Sequence, residues 1–155
     1  MSRTNSARPD RKPMIALVHN ADRAFAAHMV ESAHERGRPD IKPSHNAVFA
    51  HLGDDPRRAA DLATTAGMTR QSMGELVREL VDLRILEMVP DPSDGRAKLV
   101  TYSSEGKRFA SDGFRHLRAI EERLESEFGE DYEAARRVLE RIAAVLEDVP
   151  GTAQG

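Results

Sequence analysis

The chain has 155 residues, 39% hydrophobic and 32% charged, which suits one soluble domain with much helical surface. It has no cysteine, so disulfide scaffolds, thiol nucleophiles and cysteine metal sites are excluded. A net charge of −3 argues against a general polyanion binder and turns attention to how the charge is distributed.

Residues 1–12 read as a flexible basic arm, four basic residues (Arg3, Arg8, Arg11, Lys12) against Asp10, a net of +3. This polar start does not resemble a secretory signal, and no later run approaches the roughly 18 apolar residues of a membrane span. A cytoplasmic location is expected. Residues 13–37 predict a helix striped by Met14, Val18, Phe25 and Met29, ending near Gly37 with Pro39 beyond it. A shorter helix is expected from Ser44 as N-cap to Leu52, where Gly53 stops it.

In AADLATTAGMTRQSMGELVREL, one helix turns Leu62 and Ala63 inward, and Ala66, Gly67 and Met68 make a break. Gly67 can take a left-handed conformation there, and Thr69 can cap the next helix. Small residues at Ala59, Ala63 and Ala66 let the two helices cross closely. This is the spacing of a helix-turn-helix, whose second helix enters the DNA major groove. At about 100° per residue from Arg70, residues Met73, Leu76, Val77, Leu80 and Leu83 fall between about 220° and 340°. Arg70, Gln71, Gly74, Glu75 and Arg78 occupy the opposite side, between zero and about 140°. That polar face suits base and phosphate contact, since Arg pairs with guanine and Gln with adenine through two hydrogen bonds each. Gly74 removes a side chain where a groove wall would approach; drift at a tolerant surface position is the plain alternative.

The stretch LEMVPDPSDGRAKLVTY then predicts two short strands around a turn, with Arg96 directly after the turn glycine. Two amphipathic helices close the chain within residues 104–149. The first stripes Phe109, Leu117, Ile120, Leu124 and Phe128; the second, after Gly129, stripes Tyr132, Ala135, Val138, Leu139, Ile142, Val145 and Leu146. Residues 119–149 carry ten acids against four arginines, a net of −6, and must face away from any nucleic acid. The stripes at both ends exceed what a small centre can cover, which points to a second copy of the chain. Met14, Val18, Leu124, Leu139, Ile142 and Leu146 are the expected dimer contacts, with a monomeric helical bundle as the alternative.

A helix-turn-helix followed at once by a hairpin is a winged helix. The run from Arg57 to Gly106 resembles the MarR family of bacterial transcription regulators, most specifically in the wing DPSDGRAKLV and the Thr/Ser-then-Glu-Gly start of the following helix. The long end helices fit the family's dimerisation region in layout. The resemblance implies a mainly α fold with a small β-hairpin wing (α+β). A winged helix-turn-helix at residues 41–103 would be flanked by dimerisation helices at 13–37 and 104–149. One departure is visible: Arg84 stands where the family usually has glycine after the recognition helix. It leaves open an altered turn or an added phosphate contact.

In this family the wing arginine enters the minor groove and a nearby aspartate holds it. Carried over, Arg96 is the minor-groove probe, Asp94 its orienting partner, and Lys98 lies close to the backbone. A guanidinium on a hairpin suits the strong negative potential of a narrow minor groove. The implied DNA-contacting set is Thr69, Arg70, Gln71, Ser72, Gly74, Glu75, Arg78, Asp94, Arg96 and Lys98. Residues 57–98 hold seven basic and seven acidic side chains, so affinity must come from placed contacts. The resemblance further implies a homodimeric repressor on a pseudo-palindromic operator of double-stranded DNA, with half-sites about one helical turn apart. Family members commonly release DNA when a small molecule binds between the dimerisation and DNA-reading lobes, here near Phe25, His28, Met29, His45, Phe49 and Phe109.

Six histidines lack the i, i+4 pairing of a helical zinc site, and no phosphate-cradling loop or nucleophile elbow is present. No enzyme activity, metal or cofactor is expected. The alternative function is a winged-helix module that binds protein without specific DNA binding.

Overall fold

The computed structural model describes residues 11–147. Most of the basic arm, with Arg3, Arg8 and Asp10, and the last acid of the tail, Asp148, lie outside them. The described residues divide into two compact units, 11–113 and 114–147.

The first unit begins with α1 (Met14–Glu35), which buries Val30, Ser32 and Ala33 near its C-terminus. Its first turns expose Met14, Ile15, Leu17 and Val18. The second helix differs from its expected span of Ser44–Leu52. A 3₁₀ turn over Pro43–His45 precedes a single α-helical turn, α2 (Asn46–Phe49). Proline opens this segment, and the His45 ring, not Ser44, caps it: the Lys42 amide donates to His45 Nδ1 at 3.1 Å. Helices α3 (Ala59–Thr65) and α4 (Arg70–Asp82) follow, then β1 (Leu86–Asp91), β2 (Asp94–Tyr102) and α5 (Ser104–Phe128). The fold is mainly helical with one antiparallel hairpin, the winged-helix arrangement expected.

The core of this unit is apolar and continuous. Leu52, Leu62, Met73, Leu80, Ile85, Leu86, Val48 and Val100 are fully buried, drawn from α2, α3, α4, both strands and the connections after α2 and α4. Arg57 adds a short third edge to the hairpin, donating to Val100 O at 3.0 Å and accepting from Val100 N at 2.7 Å. The start of α5 packs so closely on the root of the hairpin that a Cβ on Gly106 would lie 1.8 Å from Ile85 O, a contact only glycine permits. Ser103 supplies the helix cap, accepting from the Gly106 amide at 2.9 Å and donating to Arg84 O at 2.6 Å.

The second unit holds the remainder of α5 and α6 (Glu130–Glu147), joined at Gly129 with φ 55°. No residue of α6 is buried. Val138, Leu139, Val145 and Leu146 are each more than half exposed and, with Ile142, lie within about 120° of arc on one side of the helix. Among the described residues no helix is long and apolar enough to cross a membrane.

Candidate nucleic-acid interface

Helix α3 ends at Thr65 with Ala66 as its C-cap, and Gly67 takes φ 64°. Met68 N donates to Ala63 O at 2.9 Å and Gly67 N to Thr64 O at 3.2 Å, the paired bonds of a left-handed helix stop. Thr69 then caps α4, its hydroxyl accepting from Ser72 N at 3.1 Å and donating to Ser72 Oγ at 2.9 Å. Met73, Leu76, Val77 and Leu80 are buried, and Leu83 is half-buried. The apolar face is therefore spent on the core, and the opposite face is left to solvent.

On that face Arg70, Gln71, Glu75 and Arg78 are exposed, with Gly74 between them. Gln71 Nε2 donates to Glu75 Oε1 at 3.2 Å, which orients the amide along the helix. A Cβ on Gly74 would meet Arg78 Nη1 at 3.5 Å, so the missing side chain leaves the space against which that guanidinium lies. Farther along α4, Glu79 accepts from Lys42 Nζ at 2.8 Å and pairs with His45 Nε2 at 3.0 Å. Lys42 first, then His45, hold the Glu79 carboxyl below its ordinary range. His45 is fully buried and has both ring nitrogens engaged. It packs within the core of this unit.

The hairpin explains how Arg96 is presented. Register runs from Leu86 opposite Tyr102 to Pro90 opposite Lys98, and the next pair is Asp91 with Asp94. Gly95, Arg96 and Ala97 therefore have no counterpart on β1. Pro90 has no amide to donate, so the ladder breaks there without a lost bond on that side. The three residues bulge outward and leave Arg96 exposed. The turn itself, Asp91-Pro92-Ser93-Asp94, is closed by Asp91, whose Oδ1 accepts from Ser93 N at 2.9 Å and Ser93 Oγ at 2.7 Å.

Asp94 acts on Arg96 through the backbone: its Oδ1 accepts from the Arg96 amide at 3.1 Å. Its other oxygen lies 3.6 Å from Arg58 Nη2. Arg58 also donates from Nε and Nη2 to Asp91 Oδ2 at 2.9 and 2.6 Å. Ser93 and then Arg58 hold the Asp91 carboxyl at about 2, against an ordinary 3.8. The sequence alone assigns no role to Arg58 or Asp91. Their signals were present, an arginine at a helix N-cap and an aspartate two residues before serine in a turn.

Of the other sequence candidates, Lys98 is exposed beside the bulge. Phe49 and Phe109 form a tilted pair, 5.6 Å between centroids and 53° between planes, and Arg36 and Arg38 approach the Phe109 ring at 5.7 and 6.0 Å. Phe25 and Met29 are half-buried, and His28 is exposed. Among the described residues no group of acidic or histidine side chains could hold a metal ion.

Residues 40–97 match the family model described as MarR family. No curated protein matches the chain. Solved structures do. A probable transcriptional regulator from Pseudomonas aeruginosa is 21% identical at a TM-score of 0.67, over 84% of this chain and 97% of its own. CouR from Rhodococcus jostii RHA1, solved bound to p-coumaroyl-CoA, is 21% identical at 0.67, over 84% of this chain and 92% of its own. A MarR-family transcriptional regulator from Rhodococcus sp. RHA1 is 18% identical at 0.66, over 86% and 98%. Residues 40–97 are thus similar to the MarR family, and the chain shares the winged-helix fold of those solved structures.

Proposed function

We propose that this protein is a homodimeric, sequence-specific DNA-binding repressor that acts on a pseudo-palindromic operator and is released by a small-molecule ligand. One observation carries the reading. The solvent face of α4 offers Arg70, Gln71 and Arg78 around a glycine, and the neighbouring wing thrusts Arg96 out of its ladder. A helix with this polar face fits the major groove, and an arginine on a projecting bulge fits the adjacent minor groove. Gln71 reads a base, Arg70 and Arg78 share base and phosphate contact, and Lys98 meets the backbone.

Dimerisation is supported by apolar surface exposed among the described residues: Met14, Ile15 and Val18 on α1, Val138, Leu139 and Leu146 on α6. A second copy buries these faces and sets two recognition helices at two-fold related half-sites. Release by a ligand is supported by the CoA thioester bound to the structurally similar CouR, and by the Phe49–Phe109 pair with its two guanidiniums.

The test is a gel shift on the upstream DNA of its own and neighbouring genes across a salt series, with sedimentation of the free protein. Sequence-selective binding by a dimer, weakening steeply with salt, is the expected result. Monomeric protein at micromolar concentration, or equal affinity for operator and random DNA, removes the reading. The latter outcome favours a winged-helix module for protein partners.

A further inference from the structure

Arg58 stands at the N-cap of α3, with φ −71° and ψ 140°. Ser, Thr, Asp or Asn is usual there, because a side-chain oxygen can accept from an orphan amide of the first turn. Arginine has no acceptor, and α3 has no side-chain cap. The guanidinium is instead turned to the wing. It grips Asp91 Oδ2 with two donors, at 2.9 and 2.6 Å, and lies 3.6 Å from Asp94.

We propose that Arg58 is the positioning residue of the wing, holding Arg96 in its presented conformation through Asp91 and Asp94. The inference rests on the DNA-binding reading above for its purpose, though not for its geometry. The bulge Gly95–Ala97 has no cross-strand partner to fix it. What restrains it is the bond from the Arg96 amide to Asp94, and the turn that Asp91 closes. Both carboxylates face Arg58. The preceding residue, Arg57, is laddered to Val100 by two backbone bonds, so the base of the brace is itself fixed. Asp91 is 7% exposed and its other oxygen is taken by Ser93, so Arg58 supplies both of the donors that hold Oδ2 in one direction. The start of α3 and the far end of the hairpin thus move as one body.

The experiment pairs a binding measurement with one that needs no DNA. Arg58→Ala and Arg58→Thr are made alone and with Arg96→Ala; the threonine restores a helix cap while removing the brace. Each Arg58 variant alone should weaken operator binding roughly fivefold to tenfold, in the range of coupling within one polar network. With Arg96→Ala present, the further loss should be less than about twofold, because a brace has nothing left to position. Amide exchange in the free protein should rise across residues 94–98 while α4 stays protected. Losses that multiply in the double variant overturn the proposal and make Arg58 a DNA contact in its own right. Unchanged exchange at residues 94–98 also overturns it. A loosened wing in a protein that shows no operator preference upholds the brace and removes the DNA-binding reading instead.

Discussion

Helix α4 and the wing stand side by side, yet different forces hold them. Met73 and Leu80 of α4 are wholly shut from solvent, along with Leu76 and Val77. From Pro90 to Lys98, the buried side chain is a carboxylate, Asp91. The helix is placed by apolar burial, which is non-directional and strong; the wing is placed by a few directed polar bonds. Change to the helix's inner face should therefore cost stability. Change along the outer wing that leaves Asp91 in place should cost geometry and leave stability nearly untouched.

The largest expected effect tests the first half of that contrast. Leu80→Ala leaves a cavity in the core, where Leu80 is fully buried, and should lower unfolding free energy by about 2–5 kcal/mol. Arg96→Ala, measured in the same denaturant titration, should stay within about 0.5 kcal/mol of the parent. Comparable losses from the two would mean that the wing is part of the core's cooperative unit.

Next in size are the two kinds of readout. Gln71→Ala should relax base preference at one position per half-site by about 1–3 kcal/mol, if the amide leaves Glu75 for two bonds to adenine. Arg96→Ala should instead weaken binding most where A·T steps beneath the wing narrow the minor groove. Selection of operator variants by each mutant separates them. A Gln71→Ala protein with parental discrimination would show that α4 docks without reading that base.

These expectations could be framed from the sequence because α4 is amphipathic with the correct period and its polar face is almost free of competing roles. The left-handed stop at Gly67, the Thr69 cap and the hairpin were likewise legible, each set by residues adjacent in the chain. The second helix was not. Ser44 looked like its cap, but Pro43 and the ring of His45 shape that turn, and the His45 partner, Glu79, is 34 residues away. Arg58 was missed for the same reason, since its meaning lies in Asp91, 33 residues on. Local rules carry periodicity and turns; they do not carry which charges meet across the fold.

Acid should act on the wing before it acts on α4. The Asp91 carboxyl titrates at about 2 in the folded chain against an ordinary 3.8. A depressed carboxyl stabilises the fold fully above its unfolded value, and that contribution is lost as pH falls from 3.8 toward about 2. Glu79 is lowered too, by Lys42 and then His45, but α4 keeps its apolar face when that carboxyl is protonated. Amide exchange followed through this window should therefore rise at residues 91–98 first. Asp91→Asn should show the loosened wing already at neutral pH and lose that part of the acid response. Simultaneous loss of protection in wing and helix would place both in one unit and break the contrast.

The smallest effect lies where the helix becomes the wing. Helices α1, α3 and α4 all end with the same pair of backbone bonds, and the left-handed residue is Gly37, Gly67 and Arg84 respectively. At Arg84 the motif is complete, with Arg84 N donating to Val81 O at 2.9 Å and Ile85 N to Leu80 O at 3.0 Å, and φ is 60°. The turn geometry is thus kept without the residue that adopts it most easily. A left-handed arginine costs about 1–2 kcal/mol, and glycine's extra unfolded freedom takes back about 0.5–1 kcal/mol. Arg84→Gly should then raise stability by about 0.5–1 kcal/mol. Its carbonyl would still accept from Ser103, so the packing of α5 on the hairpin should not change. Residue 84 also lies about 21 Å along the axis from Arg70. Operator affinity and its salt slope should therefore stay at the parental values. Arg84→Asn, which tolerates the left-handed region and carries no charge, controls for backbone and charge separately. A stabilised Arg84→Gly protein whose salt slope falls by about one, matched by Arg84→Asn, would mean the guanidinium meets a phosphate. In that case the junction serves binding directly, and the strain at φ 60° is the cost of placing that contact.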